Sequence, residues 1–205
     1  MVKVKVCGIT NLEDACAAIQ LGADAIGFVF AKSPRQVTAQ QASRIIEKLP
    51  PFVSFTGLFV NAERKIVEKT IKTCRIDTLQ FHGEESDGYC SYFKRTHKVV
   101  KAFKIKDKKS LDLLLDYDVD GYLLDTYIEG AAGGTGKVFD WNLAKKAKTF
   151  VNPIILSGGL NPGNVAQAIK KVRPYAVDVS SGIEKKPGKK DLRLMKEFIK
   201  AVRDA

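Results

Sequence analysis

Short apolar runs recur along the chain, each bounded by polar residues or glycine. They are four to seven residues long, mostly apolar and rich in β-branched residues. This pattern is typical of parallel strands that are buried on both faces. The runs predicted to be strands are Val2–Cys7, Ala25–Phe30, Ser54–Val60, Thr78–Phe81, Val99–Phe103, Gly121–Asp125, Ile154–Ser157 and Ala176–Val179.

Longer segments lie between these runs, and in them apolar residues recur about every 3.6 residues, as in an amphipathic helix. Asn11 is suited to cap the first segment and Gly22 to end it. Gly88, inside the fourth segment, weakens that helix prediction. The predicted helices run from Leu12 to about Ala23, from about Thr38 to Lys48, over Glu63–Cys74, Glu85–Thr96, Lys109–Tyr117, Trp141–Thr149 and Gly163–Val172, and from Asp191 to about Val202.

Eight strands that alternate with eight helices predict the α/β class, and within it a single (β/α)8 TIM barrel over residues 1–205. A doubly wound open sheet is the alternative, but such sheets usually have five or six strands. In a barrel the functional groups lie at the carboxyl ends of the strands and in the loops that follow them.

The composition is that of a globular protein, with 45% hydrophobic residues and a net charge of +11. The positive residues are spread along the chain in short groups without interleaved aromatic residues, so we predict a solvated surface and no nucleic-acid partner. No apolar run approaches the length of a membrane helix, and the first ten residues lack the apolar block of a signal peptide. We therefore expect no membrane association and a cytoplasmic protein.

The four cysteines form no C-x-x-C pair, and the two histidines are far apart in the sequence. This spacing argues against a zinc site and against a disulfide scaffold. We therefore expect neither a metal nor a cofactor.

Two reactive side chains stand at predicted strand ends, Cys7 after the first strand and Asp125 at the end of the sixth. A lone cysteine in this position is more often a small buried hydrophobe, and it becomes a base only beside positive charge that favours its thiolate. A carboxylate at an apolar strand end is costly to bury without partners, so Asp125 is either a catalytic group or a turn aspartate.

The loops after the seventh and eighth strands have the chemistry of a phosphate site, which often forms at this place in a barrel. Gly158 and Gly159 allow backbone N–H groups to approach an anion, and Ser180, Ser181 and Gly182 offer the same chemistry from the next loop. Ordinary turns would also explain these glycines.

Arg35 and His82 follow the second and fourth strands. The arginine is suited to grip a carboxylate with two hydrogen bonds, although a solvated surface role is equally compatible with its position. The histidine is either a pocket group or a hydrogen-bonded structural residue.

These residues belong to ordered motifs that together resemble the phosphoribosylanthranilate isomerase family of tryptophan biosynthesis. Eleven blocks occur in the family's order over nearly the whole chain, with the weakest likeness between Glu85 and Leu115. The blocks are Lys5–Thr10, Gly22–Phe30, Ser33–Arg35, Gly57–Asn61, Leu79–Gly83, Leu124–Thr126, Gly133–Gly136, Phe139–Trp141, Leu156–Leu160, Val177–Glu184 and Pro187–Asp191.

The resemblance implies an Amadori rearrangement of N-(5'-phosphoribosyl)anthranilate to 1-(2-carboxyphenylamino)-1-deoxyribulose 5-phosphate. In this reaction Cys7 is the general base that takes the proton from C2 of the sugar. Asp125 is the general acid that protonates the ring oxygen, and burial on the strand end would favour its protonated form.

The resemblance also implies where the rest of the substrate lies. Arg35 binds the anthranilate carboxylate, the loops after the seventh and eighth strands bind the phosphate, and Gln80 and His82 line the pocket. Asp178 is a structural residue or a contact at the pocket floor. The glycine-rich segment Thr126–Val138 is expected to be a lid.

Other functions remain to be compared with this one. A histidine-pathway isomerase catalyses the same chemistry but resembles an aspartate-pair site, whereas the first strand here carries Cys7. A nucleic-acid-binding protein and a non-catalytic barrel are the further alternatives. The small-molecule partner is the phosphosugar anthranilate, and the protein is expected to be a monomer or a homodimer.

Overall fold

A computed structural model describes residues 1–126, 141–149, 151 and 153–205. Eight parallel strands, numbered β1 to β8, close into a barrel in sequence order, and β1 pairs with both β2 and β8. The closed sheet confirms the predicted TIM barrel and excludes the open sheet. The strands are Lys3–Cys7, Ala25–Val29, Ser54–Phe59, Thr78–Phe81, Lys98–Ile105, Gly121–Thr126, Ile154–Leu156 and Ala176–Val179.

Eight α-helices, α1 to α8, alternate with the strands in the described part of the chain. Asn11 caps α1 as predicted, and Gly22 follows its end at a φ of 101° that favours glycine. Thr38 and Gln41 form a capping box at the start of α2. The helices are Leu12–Gln20, Ala39–Ile46, Arg64–Thr73, Asp87–Lys94, Lys109–Asp112, Trp141–Ala147, Val165–Val172 and Leu192–Arg203.

The fifth helix is shorter than predicted. The α-helix stops at Asp112, and a 3-10 helix continues over Leu113–Asp116. Leu111 and Leu114 are buried three residues apart, while Leu113 and Leu115 are exposed. A spacing of three residues matches the repeat of a 3-10 helix. Of the four leucines in this segment, only these two therefore face the core.

A small antiparallel hairpin, which the sequence analysis did not predict, lies between β8 and α8. It consists of β9, Glu184–Lys186, and β10, Lys189–Lys190, joined by a turn in which Gly188 has a φ of 81°. Backbone and side-chain bonds from Lys190 and Lys189 to Asp14 fasten the hairpin to α1. The hairpin therefore lies over the end of the barrel where β1 and β8 finish.

The main hydrophobic core lies between the sheet and the helices, and a smaller group of apolar side chains fills the barrel interior. Because side chains alternate along a strand, one set of positions on each strand faces inward. The interior apolar group is Val100, Ala102, Leu123 and Ile155.

Aspartates bracket the amino-terminal ends of the strands. The residue before each of β2, β4 and β6 is an aspartate, and its carboxylate accepts the backbone N–H of the second residue of the preceding strand. These carboxylate brackets are Asp24 with Val4 at 2.8 Å, Asp77 with Phe55 at 2.7 Å and Asp120 with Val99 at 2.9 Å. The residue before β8 is Tyr175, which has no carboxylate, so the fourth strand pair lacks this bracket.

No helix among the described residues is long and apolar enough to cross a membrane.

Candidate active site

Several of the predicted site residues share the inward-facing positions at the carboxyl ends of the strands. Cys7 ends β1, His82 follows β4, Asp125 lies near the end of β6 and Asp178 lies on β8. The His82 and Asp125 side chains are in contact although β5 separates their strands, so both must face the interior. The fold therefore brings residues distant in sequence to one end of the barrel.

Cys7 is buried, with 4% of its surface exposed. Burial raises the pKa of its thiol, Lys5 opposes that rise, Asp178 adds to it, and Lys190 opposes it. The pKa of the Cys7 thiol is therefore raised overall, whereas a thiolate at neutral pH requires a lowered pKa. Before substrate binds, the thiol is therefore the dominant form at neutral pH.

Lys5 and Asp178 form a buried ion pair directly across β1 and β8. The Lys5 Nζ and Asp178 Oδ1 atoms are 2.8 Å apart, and the two side chains are 8% and 7% exposed. The other carboxylate oxygen of Asp178 accepts a long hydrogen bond of 3.4 Å from the Ser157 hydroxyl. Asp178 therefore lies on the inner face of β8 with its charge compensated by Lys5, and its role as a contact at the pocket floor stays a prediction.

Gln80, His82 and Asp125 form a hydrogen-bonded chain. The Gln80 amide nitrogen lies 3.0 Å from His82 Nδ1, and His82 Nε2 lies 3.1 Å from Asp125 Oδ2. With the amide as donor, Nδ1 accepts, so the imidazole proton is on Nε2 and is donated to Asp125. The buried Gln80 thus selects the tautomer that orients the Asp125 carboxyl group.

Asp125 itself is less buried than its strand-end position suggested, with 28% of its side chain exposed. The burial expected for this carboxyl group is therefore only partial. Exposure gives the carboxyl group a route to exchange its proton, while His82 fixes one of its oxygens.

Arg35 is not the free cation that the sequence suggested. Its Nε and Nη2 atoms donate to the two carboxylate oxygens of Glu184 at 2.9 and 2.6 Å. The Nη1 atom makes no hydrogen bond to the described residues, and the side chain is 22% exposed. One edge of the guanidinium therefore remains available to an anion. The arginine stem lies against Gly8, where an added Cβ would come within 2.6 Å of Arg35 Cδ.

Glu184 also binds Lys190, whose side chain is fully buried. The Lys190 Nζ atom lies 2.9 Å from Glu184 Oε1 and 3.1 Å from the Ser180 carbonyl oxygen. Burial alone would raise the pKa of Glu184, but hydrogen bonds from Arg35 and Lys190 hold it below its usual range. Burial lowers the pKa of Lys190, and Glu184 only partly offsets this.

The two predicted phosphate loops touch each other. An added Cβ at Gly182 would lie 1.9 Å from the Leu160 carbonyl oxygen, so only glycine fits where the loops meet. Gly158 and Gly159 have φ values of 78° and 65°. Within the described residues, the N–H groups of Gly158, Gly159, Ser181 and Gly182 donate to no protein acceptor. These donors are available to an anionic group.

The expected lid, Thr126–Val138, lies outside the described residues from residue 127 onward. Among the described residues, no group of three or more histidine, cysteine, aspartate or glutamate side chains is arranged to hold a metal ion.

The sequence analysis missed Lys5, Glu184 and Lys190 as site residues. All three lie inside recognised motifs, but two of the ion pairs join distant parts of the chain: Lys5 and Asp178 are 173 residues apart, and Arg35 and Glu184 are 149 apart. Lys190 is only six residues from Glu184, in the hairpin that was not predicted. The inward parity of Lys5 with Cys7 on β1 is the one signal that could have identified it.

The sequence and the fold were compared with known proteins. A sequence model of the family described as N-(5'phosphoribosyl)anthranilate (PRA) isomerase matches residues 4–201. An N-(5'-phosphoribosyl)anthranilate isomerase from Citrifermentans bemidjiense is 54% identical over 200 residues, which are 97% of this chain and 96% of that protein. The enzyme of the same name from Trichlorobacter lovleyi is 50% identical over the full length of both chains.

Solved structures of isomerases with this name are similar to the chain in both fold and sequence. The crystal structure of phosphoribosyl anthranilate isomerase from Thermotoga maritima has a TM-score of 0.95 and 44% identity over the whole of both chains. A crystal structure of such an isomerase in complex with reduced 1-(o-carboxyphenylamino)-1-deoxyribulose 5-phosphate has a TM-score of 0.91 and 42% identity, again over both whole chains.

Proposed function

The chain belongs to the N-(5'-phosphoribosyl)anthranilate isomerase family, and we propose that it uses Cys7 as general base and Asp125 as general acid in the family's reaction. That reaction, a step of tryptophan biosynthesis, is the Amadori rearrangement of N-(5'-phosphoribosyl)anthranilate to 1-(2-carboxyphenylamino)-1-deoxyribulose 5-phosphate. The observation that carries the proposal is the placement of the two groups at the same end of the barrel interior, on strands β1 and β6, which β7 and β8 separate.

The first step is ring opening. Asp125 gives a proton to the furanose ring oxygen, the bond from that oxygen to C1 breaks, and the anthranilate nitrogen supplies the electron pair that forms the iminium. The resulting Asp125 carboxylate accepts the hydrogen bond from His82 Nε2, which favours the charged product of the transfer.

The second step is proton removal from C2. The Cys7 thiolate forms an S–H bond as the C2–H bond breaks, and the electron pair enters a C1–C2 double bond while the iminium nitrogen becomes neutral. The enolamine then takes a proton from water at C1 while its hydroxyl gives its proton to water, which leaves the ketone of the product. The Cys7 thiol loses its proton to solvent and the Asp125 carboxylate regains one, so both groups return to their starting states. The thiolate is needed only at this step.

The remaining contacts hold the two ends of the substrate. The unpaired N–H groups of Gly158, Gly159, Ser181 and Gly182 bind the phosphate, with Ser180 beside them. The open edge of Arg35, carried on the Glu184 ion pair, binds the anthranilate carboxylate. Both ends of the substrate are therefore fixed while its sugar lies between Cys7 and Asp125.

Compartment and assembly complete the proposal. All four cysteines are free thiols, which supports a reducing cytoplasm as the compartment. A monomer or a homodimer remains the prediction for the assembly, and one structurally similar isomerase from Thermotoga maritima is described as dimeric. Sedimentation analysis measures the assembly directly.

The experiment follows the fluorescence of the phosphoribosylated anthranilate as it is consumed. We expect Cys7→Ser and Asp125→Asn each to lower kcat by about a hundredfold or more, the size of a general acid or base contribution. Cys16→Ser, which alters a cysteine on α1, is the matched control and keeps kcat near that of the unaltered enzyme. Unaltered turnover in either active-site variant would reject the role assigned to that residue.

A further inference from the structure

Lys5 and Cys7 lie next to each other on the inner face of β1. They are two residues apart, so their side chains leave the strand on the same side. Gly27 on β2 faces them: an added Cβ there would come within 2.9 Å of Cys7 Sγ and 3.1 Å of Lys5 Cε. The lysine stem and the thiol therefore converge on the same small space, which only a glycine leaves open.

Lys5 is kept charged in this buried position. Burial alone would lower its pKa, but the Asp178 carboxylate and Cys7 raise it on balance. The ammonium group donates to Asp178 Oδ1 at 2.8 Å. Because Cys7 Sγ and Lys5 Cε both lie about 3 Å from the same point at Gly27, the lysine chain passes close beside the sulfur. The positive charge of Lys5 opposes the rise in the pKa of the Cys7 thiol that burial causes.

Other charged groups also face Cys7. Lys190 on β10 and Arg35 after β2 are positive, but Glu184 binds both of them, and their influence on the sulfur acts only through space. Asp178 on β8 is the negative group that faces it. Lys5 differs from the other two cations because it lies two residues from Cys7 on the same face of β1, whereas Arg35 and Lys190 lie on other segments and are bound to Glu184.

We propose that Lys5 is a positioning residue of the isomerisation, whose positive charge beside the sulfur stabilises the Cys7 thiolate. The proposal rests on the proposed function of Cys7 as the base. In the ionisation, the Cys7 S–H bond breaks and its proton goes to water, while Lys5 keeps its own proton and remains a cation beside the negative sulfur. The thiolate then takes the C2 proton as described above.

The test measures the ionisation of Cys7 without using the enzyme's activity. Alkylation by iodoacetamide requires the thiolate, so its rate against pH gives the midpoint of the thiol titration. Peptide mapping by mass spectrometry follows Cys7 separately from the other three cysteines. The proteins compared are the unaltered chain, Lys5→Met and Lys5→Gln. Glutamine can still donate a hydrogen bond to Asp178, whereas methionine leaves that carboxylate without its partner. The glutamine variant therefore keeps the test valid where the methionine variant does not fold.

Lys3→Met is the matched control. Lys3 lies on the same strand and the same face as Lys5. It is also paired with an aspartate, because its Nζ atom lies 2.8 Å from Asp24 Oδ1. It is four residues from Cys7, about 13 Å along the strand. Its removal should leave the Cys7 titration unchanged.

We expect both Lys5 variants to raise the alkylation midpoint by roughly one to three pH units, the effect of removing an opposite charge a few ångströms away. The rising limb of kcat/KM against pH should move by the same amount in the same direction. An unmoved alkylation midpoint, with or without a loss of kcat at every pH, would overturn the proposal, because a merely structural pair would behave in that way.

The outcome is separable from that of the proposed function. If Cys7→Ser kept its turnover, the base role would fail, while the alkylation profiles would still report whether Lys5 controls the ionisation of Cys7.

Discussion

The two proposed proton-transfer residues lie in unlike surroundings, although both are near the end of a strand. Asp125 is partly exposed, and the His82 imidazole lies 3.1 Å from one of its oxygens, so solvent can reach the carboxyl group between turnovers. Cys7 is buried, and the charges around it determine whether its thiolate forms. The function of Asp125 as an acid therefore depends on its access to solvent, and the function of Cys7 as a base depends on the charges around it.

Arg35, which forms an ion pair with Glu184, is expected to act in substrate binding, and a mutation tests this role. Arg35→Ala removes the guanidinium that we propose to bind the anthranilate carboxylate, a group present in both the bound substrate and the transition state. We therefore expect KM to rise about tenfold or more with a smaller change in kcat. Steady-state kinetics on the fluorescent substrate measure both constants, and a fall in kcat at unchanged KM would contradict this role.

The sequence alone could predict Cys7, Asp125, His82 and the phosphate loops as candidates because each stands at a strand end inside a recognisable motif. It could not show that Arg35 is shared with Glu184 or that Asp178 is neutralised by Lys5. Such pairs join residues about 150 to 170 positions apart, and nothing local in the chain encodes them.

At the scale of elements, strand prediction succeeded because buried parallel strands are nearly continuous apolar runs. Thr78–Phe81 and Ala176–Val179 were predicted to the residue, and the other strands to within two residues at each end. The hairpin of β9 and β10 was missed because its strands are short and lysine-rich, and only Pro187 and Gly188 marked a turn. Its side chains act through Glu184 and Lys190, so an element with little core contribution shapes the site.

The carboxylate brackets carry a prediction about stability at this scale. Asp120→Ala removes the acceptor of the Val99 N–H and the partner of Lys98. Loss of a bonded backbone partner should lower the free energy of unfolding by about 1–3 kcal/mol, measured in urea. Asp120→Asn keeps an acceptor oxygen and should lose less.

The same variant should keep its kcat, because the brackets lie at the amino-terminal face and the site lies at the other. A fall in kcat at unchanged stability would refute the assignment of this face to stability.

At the scale of the whole molecule, the two ends of the chain complete one barrel. β1 pairs with β8, and Arg203 at the end of α8 donates to the Val2 and Gly22 carbonyl oxygens. We propose on this ground that residues 1–205 form one domain. Unfolding followed by the fluorescence of Trp141 and by circular dichroism should then give coincident transitions.

The net charge of +11 also belongs to this scale. The cations inside the site are paired: Lys5 with Asp178, and Arg35 and Lys190 with Glu184. The excess positive charge therefore lies on surface lysines, where it can attract an anionic substrate without contributing to the site itself.

Acid should destabilise the fold. Burial alone would raise the pKa values of Glu184, Asp24 and Asp120, but hydrogen bonds and neighbouring cations hold all three below their usual range. The unfolded chain therefore binds these protons more readily than the native one. Their stabilisation is complete above about pH 4 and is lost as the pH falls further. Urea unfolding at a series of pH values measures this, and constant stability down to pH 3 would contradict it.

The most direct measurement of the central claim is the isotope effect of a substrate carrying deuterium at C2. Altering the residue of one step makes that step more strongly rate-limiting. If Cys7 takes the C2 proton, Cys7→Ser should show an isotope effect on kcat at least as large as that of the unaltered enzyme. If Asp125 opens the ring, Asp125→Asn should show a smaller one, because ring opening then limits the rate. The reverse pattern, or equal effects in both variants, would contradict the assignment of base and acid.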